Sequence, residues 1–356
     1  MWIWCEWREV WNLRTKKQIL RYLKKERSPW ELINLVDSDL NEFVERLKEL
    51  LEEGLVESIN GKLYLTSKGE EERDRLNLRV YNTRCDRCEG RGIVKDPFGV
   101  LDEYKKITSN RPRPTAEYDQ GYIKEEDVMR RIAFIYERGD LENNEIIVIG
   151  DDDLISLGMG LTELPKKIEV LEIDNRLIEY INRVAQEYGF SVHARRFDVR
   201  EDLPEDLFKK FDVFITDPVE TIEGITLFLS RAASGLKGKG SSGYFGLTHL
   251  EASLTKWREI EKRLLEMNFV ITDMLRDFNV YPMKDNLEIA EKDYLIYRRI
   301  YELTGSERID TDFYRSTLIR IEAIDEVRPI VSGKVELKDE IYVDDESLVT
   351  AKATRR

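Results

Sequence analysis

Four mostly apolar segments in this chain each run directly into acidic residues. Gly150-Asp151-Asp152-Asp153 follows residues 145–149, and Glu172-Ile173-Asp174 follows 167–171. Asp198-Val199 comes shortly after 190–194, and Asp217-Pro218-Val219-Glu220 closes 211–216. A carboxylate can accept a hydrogen bond from a ribose hydroxyl or an adenine amino group, take up a proton, or hold an ammonium. One acid after a strand is ordinarily a solvated loop. Acids after four successive strands, with Asp174 spaced from Gly150 as ribose-binding acids are from their glycine turn, point to an adenosine-containing ligand. Gly150, Asp151, Glu172, Asp174, Asp198 and Val199 are therefore the expected donor-nucleoside site, with Asp198 placed for an adenine amino group.

The run of three aspartates narrows the ligand. S-adenosylmethionine carries a carboxylate, which Asp151, Asp152 and Asp153 would repel by several kcal/mol if poorly screened. Its decarboxylated form keeps only cationic groups, a sulfonium and a primary ammonium, and suits an acidic loop. The natural acceptor for that donor is a polyamine, itself a polycation. An acceptor amine is mostly protonated at neutral pH, and only its free lone pair can displace the thioether leaving group. The chemistry then needs a carboxylate beside the nitrogen to take its proton, and others to hold the remaining ammoniums. It needs no metal and no cofactor. Asp152 and Asp217 should both point into the same crevice, with like charges raising at least one pKa.

Alternating elements are what could bring these loops together. Strands at 145–149, 167–171, 190–194, 211–216, 242–247, 269–274 and 316–321 alternate with helical spacing, which predicts a doubly wound, parallel α/β sheet over 116–330. The expected fold is a seven-stranded Rossmann-like sheet of the class I methyltransferase type, with ligands at the carboxyl ends of its strands. Residues 1–80 predict a winged helix: Ile19, Leu20 and Leu23 on one stripe, a second helix from Ser28-Pro29, a third capped by Ser38, then a hairpin across Asn60-Gly61 and a helix opening at Thr66. Winged helices commonly bind DNA. Here the third helix region carries Asp37, Asp39, Glu42, Glu45, Glu49, Glu52 and Glu53 against Arg46 and Lys48, a surface that repels phosphate. Packing against a domain or a second copy is the expected use.

Residues 81–115 read as a connector, and 331–356 as an acidic, flexible tail. Within the connector, Cys85-Asp-Arg-Cys88 has the spacing of half a zinc knuckle, while the two histidines, His193 and His249, are expected far away. A clip shared between two chains, by metal or disulfide, and a plain turn both remain open. The composition excludes other classes. A net charge of −14 argues against sequence-independent nucleic-acid binding, and 41% hydrophobic residues argue against disorder. No apolar run approaches the ~20 residues of a membrane span and the amino terminus is a poor signal, so no membrane association and a cytoplasmic location are expected. High Glu and Lys with little Gln and Cys is thermophile-like.

Arg138-Gly-Asp-Leu-Glu-Asn143, Ile149-Gly-Asp-Asp-Asp-Leu154, Leu164-Pro-Lys-Lys167, Ile173-Asp174, Phe211-Asp-Val-Phe-Ile-Thr-Asp-Pro218, Gly243-Tyr-Phe-Gly246 and Lys256-Trp-Arg-Glu-Ile260 resemble the branched-chain polyamine synthase family. The resemblance covers nearly the whole chain. It implies two successive aminopropyl transfers from decarboxylated S-adenosylmethionine to the secondary amine of spermidine, releasing methylthioadenosine, and a homodimer. It also implies Asp152 as proton acceptor, with Asp217, Asp153, Glu220, Asp119 and Gln120 around the polyamine, and a flexible acidic segment near the site. The family often has Asp-Pro-Pro-Glu where this chain has Asp217-Pro-Val-Glu220, and 280–312 match poorly, both of which bear on acceptor selectivity. The competing readings are an amino-group methyltransferase on nucleic acid and a winged-helix regulator. The first wants an aromatic where Glu220 stands; the second wants a basic face over 37–54.

Overall fold

The computed structural model describes residues 14–80, 88, 90–115, 117–284, 294–336 and 341–350. Helix α1 (14–22) and the turn after it bury Ile19, Leu20 and Leu23. Ser28 starts α2 (Pro29–Ile33) with a capping box: its hydroxyl accepts from Glu31 N, and the Glu31 carboxylate accepts from Ser28 N. The cap of α3 (Leu40–Glu52) is Asp39 rather than Ser38, because the Asp39 carboxylate accepts from Glu42 N at 2.9 Å. β1 (Val56–Ile59) and β2 (Lys62–Leu65) form a hairpin whose turn residues Asn60 and Gly61 take φ of 52° and 75°, as a two-residue turn of this hand requires. Thr66 caps α4 (Ser67–Arg75).

The expected connector contains α5 (Leu101–Thr108), which is part of the main core: Leu101, Tyr104 and Ile107 lie on one buried face, three residues apart. α6 (Glu125–Glu137) follows, and then the sheet. Its strands are β3 (Glu145–Ile149), β4 (Lys167–Glu172), β5 (Val192–Arg196), β6 (Val213–Thr216), β7 (Ser242–Leu247), β8 (Phe269–Val280) and β9 (Arg315–Ala323). The helices between them are α7 (Ile155–Leu161), α8 (Asn175–Tyr188), α9 (Ile222–Gly235), α10 (Leu254–Glu266) and α11 (Leu295–Thr304). Strand order is β5-β4-β3-β6-β7-β9-β8, with β9 antiparallel to both neighbours. The sheet is thus mostly parallel, with one antiparallel insertion. β3 is the switch point, since the chain leaves it toward β4 on one side and returns to β6 on the other. Ile146 to Ile149 and Val213 to Thr216 are buried throughout, as strands covered on both faces must be.

Two further expectations changed. β8 runs to Val280 instead of 274; register shifts between Ile271 and Asp273 and between Leu275 and Asn279 let it bend and carry Tyr281 over the end of the sheet. The described part of the acidic tail is packed: Ile341, Val343, Leu348 and Val349 are buried. Its acids have partners on α10, where Lys256 Nζ meets Asp344 Oδ2 at 2.7 Å, and Ser253 N and Oγ donate to Glu346 at 2.6 and 2.8 Å. Leu348 and Val349 join one apolar cluster with Trp30, Phe43 and Leu47 of the amino-terminal elements, Leu250, Phe313 and the α11 residues Tyr297 and Ile300. The acidic face of α3 is partly neutralised by Arg46, which pairs with Glu42, Glu45 and Glu49. No described helix is long and apolar enough to cross a membrane.

Candidate active site

Gly150 ends β3 at φ 71°, a conformation glycine adopts without strain, and turns the chain so that three aspartates diverge. Asp151 points inward: Ser156 donates to its carboxylate from both N and Oγ, tying the loop to α7. Burial pushes the Asp151 carboxyl well up, against those two hydrogen bonds. Asp152 faces the crevice, where its Oδ2 accepts from Gly121 N at 2.9 Å. Burial, then the Asp217 and Glu172 charges, raise it from 3.8 to about 6. Asp153 turns toward α6. Its Oδ1 accepts from Ile123 N at 2.7 Å, its Oδ2 stands 3.5 Å from Arg131 Nη1, and burial raises it to about 7 even though Arg131 opposes the shift.

Asp217, at the end of β6, meets the same arginine from the other side, Nη2 to Oδ2 at 3.4 Å, and accepts from Tyr281 Oη at 3.1 Å. Its Oδ1 lies so close to Gly246 that a Cβ there would stand 2.1 Å away, so only glycine at the end of β7 leaves room for this carboxylate. Glu220 stands three residues on, pushed well up by burial and then by Glu251, Asp217 and Asp119. Asp152, Asp153, Asp217 and Glu220 thus form one wall of carboxyl groups.

The loops expected to hold the nucleoside are ordered by their own hydrogen bonds. Glu172 is buried and accepts from three backbone amides, Asp151 N through Oε2 and Ile173 N and Asp174 N through Oε1, so it ties the first two loops together. Burial pushes its carboxyl up. Asp174 is also buried as a residue, yet hydrogen bonds from Arg176 and Gln120 outweigh desolvation and bring it below the ordinary range. Gln120, expected beside the polyamine, donates to Asp174 Oδ2 at 3.1 Å. Asp198 is held by the N–H and guanidinium of Arg200, which lower its pKa ahead of the opposing burial. Val199 O accepts from the fully buried Arg231 at 2.9 Å. Asp119, at φ 55°, accepts from Thr350 Oγ1, which brings the carboxy-terminal segment to the rim. Cys85 lies outside the described residues; Cys88 is partly exposed.

Three residues went unread in the sequence. Arg131 is buried on α6, and its signal was a charge at the i+3 position of the stripe Val128, Ile132, Ile135. Tyr281 depended on the extra length of β8. Glu251 follows β7, is buried, accepts from Tyr314 Oη at 2.6 Å and from Leu348 N and Val349 N, and is raised by burial. Nothing local set it apart from a solvated loop acid.

Residues 99–349 match the branched-chain polyamine synthase A C-terminal domain. An N(4)-bis(aminopropyl)spermidine synthase from Thermococcus kodakarensis is 37% identical over 343 residues, 95% of each chain. One from Methanocaldococcus jannaschii is 39% identical over 326 residues, 90% of each chain. Among solved structures, the branched-chain polyamine synthase from Thermus thermophilus, in complex with N4-aminopropylspermidine and 5'-methylthioadenosine, superposes with a TM-score of 0.82. It is 32% identical, over 95% of this chain and 93% of that one.

Proposed function

The chain belongs to the branched-chain polyamine synthase family, and on that premise we propose how its crevice works. The enzyme transfers aminopropyl groups from decarboxylated S-adenosylmethionine to the secondary amine of spermidine and releases methylthioadenosine. The observation that carries this is the wall of carboxylates at the carboxyl ends of β3 and β6, beside a strand-end nucleoside site. An anionic wall recruits a cationic acceptor and turns away a donor that still has its carboxylate.

In the first transfer, Asp152 takes the proton from the protonated secondary amine. The freed lone pair attacks the propyl carbon bound to sulfur, the C–S bond breaks, and its electron pair returns to sulfur, leaving a neutral thioether. The product nitrogen is a protonated tertiary amine. Once that proton is removed, a second attack on a fresh donor gives a quaternary ammonium, N(4)-bis(aminopropyl)spermidine. Asp152 suits the base role because, near 6, it is ionised at neutral pH yet more basic than a solvated carboxylate. Glu220, beside Asp217 and Asp119, helps draw the acceptor's cationic nitrogens into register. On the donor side, Asp174, on the loop that Glu172 braces, faces the ribose, and Asp198 with Val199 the adenine. A homodimer is part of the proposal, to be checked by sedimentation velocity.

The test is incubation with decarboxylated S-adenosylmethionine and spermidine, followed by mass spectrometry of the polyamines, with S-adenosylmethionine in a parallel arm. Products heavier by one and two aminopropyl units are expected in the first arm, and no methylated product in the second. Methyl transfer without aminopropyl transfer would refute the assignment.

A further inference from the structure

A site built to bind polycations holds a cation of its own. Arg131 is only 2% exposed, lies on α6 beneath the crevice, and reaches Asp153 Oδ2 with one terminal nitrogen and Asp217 Oδ2 with the other, at 3.5 and 3.4 Å. It therefore spans the loops that end β3 and β6. The rest of each carboxylate is engaged as well. Asp153 Oδ1 accepts from Ile123 N, Asp217 Oδ2 accepts a second bond from Tyr281, and Asp217 Oδ1 is pressed against Gly246. Asp152 is different. Among the described residues its side chain accepts from Gly121 N, while Arg111 donates to its main-chain oxygen and acts on the carboxyl through its charge. Glu220 is surrounded chiefly by other acids, with Lys256 the opposing charge.

We propose that Arg131 is a positioning and specificity residue: its guanidinium occupies the Asp153–Asp217 pair as a built-in substitute for one polyamine nitrogen. Asp152 and Glu220 are then left to take the cationic nitrogens that the acceptor brings. The physical reason is pairing. Two carboxylates brought near each other at the ends of β3 and β6 repel, and a fork-shaped donor that reaches both offsets that repulsion and fixes their positions. By filling that pair, Arg131 also limits how many acceptor charges the wall can accommodate. The inference rests on reading the crevice as a polyamine site.

The test is chemical replacement of the missing side chain. Arg131→Ala should lose ~10²-fold or more in kcat/KM for spermidine while keeping methylthioadenosine affinity within about twofold, since the hydrogen bonds that order Glu172, Asp174 and Asp198 come from other residues. Added guanidinium at tens of millimolar should restore at least about tenfold of that rate in Arg131→Ala and none in the wild type. The same titration should raise the melting temperature of the variant saturably, a readout that needs no turnover. Near-normal kcat/KM in Arg131→Ala would overturn the proposal, as would a lost activity with neither rate nor melting temperature responding to guanidinium. Should Arg131→Ala fail to fold, Arg131→Lys decides: a single ammonium cannot span both carboxylates, so kcat/KM should fall at least about tenfold with methylthioadenosine affinity held, and an unchanged kcat/KM refutes the idea. Wild-type enzyme inactive toward spermidine would instead refute the function, and the thermal titration would still report on Arg131.

Discussion

Replacing Asp152 by Asn should lower activity and raise stability together, and both effects can be sized. The Asp152 carboxyl is raised from 3.8 to about 6, first by burial and then by Asp217 and Glu172. At ~1.4 kcal/mol per unit, keeping it ionised at neutral pH costs the folded protein about 3 kcal/mol, shared with those neighbours. The sign follows from linkage. The native state binds this proton more tightly than the unfolded chain, so stability falls as pH rises from about 4 to about 6, and the full cost is present above that. Asparagine is neutral throughout and can still accept from Gly121 N. Asp152→Asn should therefore be more stable than the wild type at pH 8, by a melting-temperature gain of a few degrees, ~4 °C for a chain of this length. At pH 4 the two should coincide. Loss of the base should reduce turnover by ~10²–10⁴-fold with methylthioadenosine affinity unchanged. Calorimetry of the ligand-free proteins at both pH values, with turnover followed by mass spectrometry, gives every quantity needed. Wild-type turnover in Asp152→Asn, or a variant less stable at pH 8, would refute the reasoning; if Asp217→Asn alone abolished turnover, the two roles would have to be exchanged.

Glu172→Ala leaves three backbone amide donors without their acceptor, so it should cost on the order of 1–3 kcal/mol of stability for each donor that stays dry and weaken methylthioadenosine binding severalfold. Unchanged affinity in both Glu172→Ala and Asp174→Ala would remove the nucleoside assignment. Deleting residues 341–356 should lower the melting temperature as well as turnover, because Leu348 and Val349 sit in a shared apolar cluster, and a buried Leu or Val is worth ~1.5–3 kcal/mol. An unchanged melting temperature would show that the packing is dispensable. The second-order rate with spermidine should fall as ionic strength passes ~0.1 M, where the Debye length is ~10 Å. A flat response would mean that local contacts, not the field, recruit the amine.

The sequence by itself determined the layout of the sheet and the identity of its acidic loops. Strand and helix periods depend on neighbours in sequence, so β3, β4, β6 and β7 were legible, as were the Ser28 cap and the Asn60-Gly61 turn. Acids closing four strands were legible for the same reason, since a Rossmann-like topology brings strand ends together whatever their side chains. Tertiary structure decided how those acids divide the work. Asp151 and Glu172 turn inward to hold loops, Gln120 goes to Asp174, and Asp152 is left facing the crevice. Arg131, Tyr281 and Glu251 reach the site through long-range partners, among them Asp217 for the first two, 86 and 64 positions away, and Leu348 for the third, 97 positions away. The segment 341–350 was misjudged because polar composition suggests a solvated tail, whereas Lys256 and Ser253 pair its acids and leave its apolar residues free to pack. Spacing along the chain carries no information about such long-range pairings. They arise from packing, where burial sets which charges must find partners.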